Sequence, residues 1–129
     1  MSLGAEIEDD IASRLAAVRA RIADAAVRAG RTADAVSLVA ISKTQPEVRI
    51  GAALAAGHRV FGENRVQEAQ ERWAARRDAL PDLELHLVGP LQTNKARDAV
   101  ALFDVIQTLD RPKLADRLAR EFDRAGRQL

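Results

Sequence analysis

Apolar residues recur at intervals of three and four positions near the start of the chain, with acidic residues and arginines between them. Five aliphatic residues carry this repeat: Ile7, Ile11, Leu15, Val18 and Ile22. The spacing is typical of an amphipathic helix, and Gly30 suits its end. The pattern therefore predicts an N-terminal helix over residues 5–29.

The period changes after this helix. Residues 36–42, VSLVAIS, form a short, β-branched and almost wholly apolar run. Such a run is typical of a strand that is buried on both faces. Pro46 suits the first turn of a following helix, which we expect to reach Ala56 and stop at Gly57.

Strand and helix patterns then alternate three more times. The predicted strands cover residues 58–61, 84–88 and 104–109, and the predicted helices cover residues 65–80, 93–102 and 112–126. Short connections between alternating strands and helices favour right-handed crossover units and a parallel sheet. The predicted class is α/β, with four strand–helix units over residues 36–126.

Two architectures can begin with four such units, an open doubly wound sheet and a (β/α)8 TIM barrel. The first would have a glycine-rich phosphate turn after its first strand, but residues 42–46 read SKTQP. The barrel is therefore favoured. A complete barrel takes about 250 residues, and this chain has 129. We predict one partial domain, residues 1–129, that forms half of a barrel behind the N-terminal helix.

Composition excludes several classes of partner. The net charge of +1 gives no bulk attraction to nucleic acid or to a membrane surface. No apolar run approaches the roughly 20 residues of a membrane span. Cysteine is absent, which fits a reducing compartment. We expect a cytoplasmic protein with no nucleic-acid or membrane partner.

Lys43 is the first candidate for chemistry. It follows the first apolar strand, at the end of the sheet where parallel α/β folds hold ligands. A lysine partly removed from water there has a lowered pKa and an amine free to attack a carbonyl, which leads to a Schiff base. Alternatively Lys43 extends into water as an ordinary surface cation, and spacing alone favours that interpretation.

Polar residues also follow the later strands. Gly62, Glu63 and Asn64 are expected on the same rim as Lys43, where a carboxylate and an amide can orient a polar ligand. The same residues could instead cap the next helix, for which Asn64 is well suited. His86 has no second ligand at metal spacing, so we predict a packed histidine and no metal site.

Four longer segments stand in a specific order: LVAISKTQP, FGENRVQEA, HLVGPLQTNKAR and IQTLDRPKLA, all within residues 38–115. They resemble the pyridoxal phosphate homeostasis proteins, single-domain relatives of the N-terminal barrel of alanine racemase. The resemblance implies a protein that binds pyridoxal 5'-phosphate (PLP) in vitamin B6 and amino-acid homeostasis. It implies that Lys43 holds this cofactor as a Schiff base and that Asn64 lies beside it.

The resemblance also implies a cofactor carrier rather than an enzyme. A racemase needs a second acid or base on the opposite face of the cofactor, and the chain contains no tyrosine for that role. Two alternatives stay open, a PLP-dependent racemase-like enzyme and a truncated interaction module that no longer binds the cofactor. Family members continue for a second half of similar length, so we expect this chain to be their N-terminal half.

A half barrel would leave two bare sheet edges and an uncovered inner face. We therefore predict a homodimer in which two half barrels close one eight-stranded barrel. The alternative is a monomer whose N-terminal helix covers the exposed face.

Overall fold

The computed structural model describes residues 3–129, and strands and helices alternate along them. The helices are α1 (Leu3–Arg28), α2 (Glu47–Ala55), α3 (Val66–Arg77), α4 (Ala96–Leu102) and α5 (Pro112–Ala125). The strands are β1 (Ala40–Ile41), β2 (Val60–Glu63), β3 (Glu84–Leu87) and β4 (Val105–Ile106). Two 3₁₀ turns lie at Ala33–Ala35 and Thr93–Lys95. The predicted α/β class is confirmed.

All four strands are parallel, and their order in the sheet is their order in the chain. Gly62 of β2 lies opposite Ile41 of β1 and His86 of β3. In a doubly wound sheet, the first strands are added toward one edge and the later strands toward the other edge. The one-directional order is the order of consecutive strands in a barrel.

The outer strands are shorter than predicted. β1 contains only Ala40–Ile41 of the predicted residues 36–42, and β4 contains only Val105–Ile106 of residues 104–109. Each of these strands pairs on one side, whereas β2 and β3 pair on both sides and extend over four residues. Residues of an apolar run therefore form a strand only where an adjacent strand is present to pair with them.

The described chain divides into two compact units. In the unit of residues 3–38 and 44–59, α1 packs against α2. Ala26, Ile50 and Ala52 are buried. The Arg19 guanidinium donates a hydrogen bond to Nδ1 of buried His58 at 2.7 Å. This bond joins the middle of α1 to the segment that follows α2.

The other unit, residues 39–43 and 60–129, contains the whole sheet. α3 packs on β2, and α4 contacts both α3 and α5. The Trp73 and Phe61 rings have centroids 4.6 Å apart, and both rings are buried. Leu85, Leu87 and Phe103 complete the centre of this core. None of the described helices is long and apolar enough to cross a membrane.

Asp104 joins β3 to the ends of two helices. Its backbone N–H donates to the Leu85 carbonyl at 2.9 Å, and its Oδ2 accepts from the Leu85 N–H at 2.8 Å. Its Oδ1 contacts Arg77 at the end of α3 and Arg127 beyond α5. One carboxylate therefore satisfies a strand amide and two guanidinium groups.

We predict that Asp104→Ala lowers the free energy of unfolding by about 2 kcal/mol, because one backbone donor and two arginines lose their acceptor. Urea titration followed by far-UV circular dichroism measures the change. Asp110→Ala is the control, since Asp110 is exposed and pairs with its chain neighbour Arg111, and should cost less than about 0.5 kcal/mol. Equal losses in the two variants would contradict the role given to Asp104.

Candidate cofactor site

Lys43 and Asn64 follow the carboxyl ends of the adjacent parallel strands β1 and β2. The Ser42 N–H donates to the Gly62 carbonyl at 3.0 Å, so the two strands stay paired one step past Ile41. Lys43 is the next residue and lies in a turn, and Asn64 directly follows β2. Lys43 is exposed and Asn64 is half-buried.

The face that contains Gly62 carries aliphatic side chains below this rim. A Cβ added to Gly62 would lie 2.7 Å from Ile41 Cδ1, 3.1 Å from Val39 Cγ1 and 3.5 Å from Val88 Cγ1. These three side chains therefore close over the position where Gly62 has none. Ile41 stays 45% exposed. The floor beneath Lys43 and Asn64 is apolar and partly open to solvent.

A polar pair lies further along the same face. Gln107 Nε2 is 2.7 Å from Nδ1 of buried His86, so the amide can donate and the imidazole accept. His86 Nε2 is 3.3 Å from Glu84 Oε2, without the alignment of a hydrogen bond. In the part of the chain that the structure describes, no cluster of histidine and acidic residues could hold a metal ion.

Glu63 does not share the rim with Lys43, so that prediction is wrong. Its carboxylate is fully buried on the opposite face, where it accepts hydrogen bonds from Ser42 Oγ at 2.9 Å and Trp73 Nε1 at 3.2 Å. Arg72 Nη1 donates to both carboxylate oxygens at 2.8 and 3.0 Å. Alternation along β2 explains the result, because adjacent strand residues point to opposite faces.

The ion pair in this cluster is strong enough to overcome burial. Burial alone would disfavour a charged Arg72, but the hydrogen bonds and charge of Glu63, and then those of Glu68, raise the pKa of Arg72 above its ordinary value. Arg72 Nη1 also lies 3.1 Å from Glu68 Oε1. Arg72 and Glu63 therefore form an ion pair whose acidic side chain is fully buried.

The alternative that Asn64 caps α3 is not what the structure shows. The N-cap of α3 is Arg65, with an extended backbone and no side-chain cap. The backbone of Asn64 is instead held by Gly89, where an added Cβ would lie 2.9 Å from Asn64 Cα. Val88 N donates to the Glu63 carbonyl at 2.9 Å beside this contact. The loop after β3 therefore supports the end of β2.

The chain is similar in sequence to curated proteins from several bacteria. No protein-family model matches the chain. The pyridoxal phosphate homeostasis protein of Escherichia coli K12 is 44% identical over 111 residues, and that of Pseudomonas aeruginosa PAO1 is 45% identical over 111 residues. The alignments cover 85% and 86% of this chain and 47% of each relative. The chain is a relative of the N-terminal half of the pyridoxal phosphate homeostasis proteins.

Solved structures agree with this relationship. PipY of Synechococcus elongatus PCC7942 without PLP matches 92% of this chain at 47% identity, with a TM-score of 0.78. PipY with PLP bound matches 91% at 46% identity, with a TM-score of 0.75. Each match covers 50% of the PipY chain. The chain thus spans about half the length of the pyridoxal phosphate homeostasis proteins that it matches, which confirms the predicted half barrel.

A turn that the sequence pattern did not reveal ends the site. Thr44 has a φ of 59° and follows Lys43 directly. A β-branched residue in this left-handed region costs about 1–3 kcal/mol, and such strain is concentrated at functional sites. The chain therefore turns sharply just after Lys43.

We predict that Gly89→Ala lowers the free energy of unfolding by about 1–3 kcal/mol and shifts the Asn64 amide resonance, because the new methyl group meets the Asn64 backbone. Gly51→Ala is the control. Gly51 lies inside α2 with nothing within 4 Å of an added Cβ, so alanine there should stabilise by about 0.5–1 kcal/mol. Chemical denaturation and ¹H–¹⁵N spectra measure both effects. An unchanged Asn64 resonance in Gly89→Ala would contradict this packing.

Proposed function

We propose that this chain binds pyridoxal 5'-phosphate and acts in PLP homeostasis, with Lys43 holding the cofactor as a Schiff base and Asn64 beside it. One observation carries the proposal. Lys43 and Asn64 follow the carboxyl ends of the adjacent parallel strands β1 and β2, in a chain that is 46% identical to PipY solved with PLP. Parallel α/β folds hold their ligands at this end of the sheet.

The residues at this rim have the chemistry that the cofactor requires. The Lys43 amine can condense with the aldehyde carbon of PLP, so that a C=N bond forms and one water molecule leaves. The Asn64 amide can donate to and accept from polar groups of a ring. The apolar floor of Val39, Ile41 and Val88 offers contact to an aromatic face. When bound, PLP supplies an electron-withdrawing ring.

A carrier role fits better than turnover. The curated relatives are named for PLP homeostasis, and the chain contains no tyrosine to act as a second acid or base on the cofactor. The absence of cysteine from the chain supports a cytoplasmic location. We propose that the protein holds and releases PLP in that compartment without turning over an amino acid.

PLP added to the purified chain should produce a visible absorbance band, and Lys43→Ala should abolish it because no amine remains at this position. Lys95→Ala is the matched control, since Lys95 is an exposed lysine in the 3₁₀ turn before α4. Borohydride reduction followed by peptide mass spectrometry should place the adduct on Lys43. A band that survives in Lys43→Ala, or an adduct on Lys95, would overturn the assignment.

The exchange of an amino acid's α-proton with solvent separates a carrier from a racemase-like enzyme. A carrier should exchange the α-proton of an amino acid with deuterated solvent no faster than free PLP does, as measured by ¹H NMR. Faster exchange that disappears in Lys43→Ala would favour the enzyme.

We further propose that two copies close one eight-stranded barrel. β1 and β4 are edge strands with one neighbour each, and the inner-face residue Ile41 is exposed. An apolar cleft of about 350 Å³ runs beside β4 and is lined by Val105, Ile106, Leu118 and Phe122. A two-fold partner would supply a strand to each edge and fill this cleft.

Light scattering should give the mass of a dimer, and Leu109→Glu should shift it to that of a monomer, because Leu109 lines the cleft and is 61% exposed. Val27→Glu on α1 is the control, since Val27 is a similarly exposed aliphatic residue at 69% outside the sheet unit. A monomer mass that does not change with protein concentration would refute the closed dimer.

A further inference from the structure

The Glu63 carboxylate lies directly behind the candidate site. It is 0% exposed, and its hydrogen-bond donors come from two parts of the fold. Ser42 follows the last residue of β1, whereas Arg72 and Trp73 belong to α3. One buried charge therefore connects the end of β1, the end of β2 and the helix that covers them.

This connection is one residue away from both candidate ligands of the cofactor. Ser42 precedes Lys43, and Glu63 precedes Asn64. The Ser42 side chain bonds to Glu63 while its N–H bonds to the Gly62 carbonyl. The two strand ends are thus held together by a backbone bond and by a side-chain bond on the face opposite the candidate site.

The cluster leaves little freedom to its members. The carboxylate accepts four hydrogen bonds, three at Oε2 and one at Oε1. Each donor is itself anchored, because Trp73 packs on Phe61 and Arg72 also contacts Glu68. A movement of β1 relative to β2 would break a bond to a buried charge, which is among the most costly bonds to lose.

We infer that Glu63 is a positioning residue that sets the spacing between Lys43 and Asn64 by binding Ser42 from behind the sheet. The inference rests on the proposed function for its consequence in PLP binding. Its structural content, the joining of the two strand ends, is measurable without PLP.

The chain contains a matched control for a buried acid. Glu121 on α5 is 2% exposed and accepts from Arg117 Nε at 3.1 Å and Arg124 Nη1 at 3.2 Å. Both of these arginines belong to the same helix, so this cluster joins no strands. Glu121→Gln therefore disturbs a buried acid–arginine cluster without touching the candidate site.

The first measurement is hydrogen exchange of the Ser42 amide in the absence of PLP. Glu63→Gln and Ser42→Ala should each accelerate this exchange at least about tenfold, as expected when a bond to a charged group is lost. Residue 42 keeps its backbone N–H in the alanine variant. Ser42→Ala also keeps the Glu63–Arg72 pair and is expected to fold even where Glu63→Gln does not. Fluorescence of the single tryptophan, Trp73, monitors unfolding in each variant.

The second measurement is the PLP titration of the same variants. Ser42→Ala should weaken PLP uptake at least about fivefold, whereas Glu121→Gln should leave it unchanged, because only the first variant loosens the strand ends. Unchanged Ser42 exchange in Ser42→Ala, or equal acceleration in Glu121→Gln, would overturn the positioning role. If the wild-type chain takes up no PLP, the proposed function fails, and the exchange comparison still decides the role of Glu63.

Discussion

Adjacent residues of a strand point to opposite faces of the sheet, and this constraint organises the carboxyl end of the sheet. Ser42 and Glu63 face the helix that covers the sheet, where their hydrogen bond is buried. Lys43 and Asn64, one step later, follow these two residues at the carboxyl end of the sheet, where Lys43 is exposed and Asn64 is half-buried. The residues that hold the two strand ends together are therefore each followed directly by a candidate cofactor ligand. A shift of register by one residue would exchange them and would expose the charge that the fold now buries.

The elements that the sequence predicted well are those with strong local signals. The α5 helix starts at Pro112 and ends at Gly126, whose φ of 63° is the left-handed cap expected of glycine. β1 and β4 were predicted too long because an apolar run does not show whether a strand has one neighbour or two. The rule that parallel sheets hold ligands at their carboxyl ends selected Lys43 and Asn64 as candidates, and their role stays a prediction.

The errors at the site have a common physical origin. Glu63 was assigned to the rim because it stands at the predicted end of a strand beside Gly62 and Asn64, but two of its partners, Arg72 and Trp73, lie on α3. Such partners become visible only when the helix is packed on the strand. A buried ion pair between an acid and an arginine is also hard to predict from sequence, because the cost of removing both charges from water offsets most of their mutual attraction. Its value here lies in the geometry that it imposes.

The strand order has a consequence for how the protein is made. Each strand pairs with the strand that precedes it in the chain, as Phe61 does with Ala40 and Val105 does with His86. Pairing of consecutive strands closes shorter loops than pairing of distant ones, which lowers the entropy cost of closing them. Chains are synthesised from the N-terminus at about 5–20 residues per second. Within this sheet, the strand to which β2, β3 or β4 pairs on its N-terminal side has therefore already been synthesised when that strand leaves the ribosome.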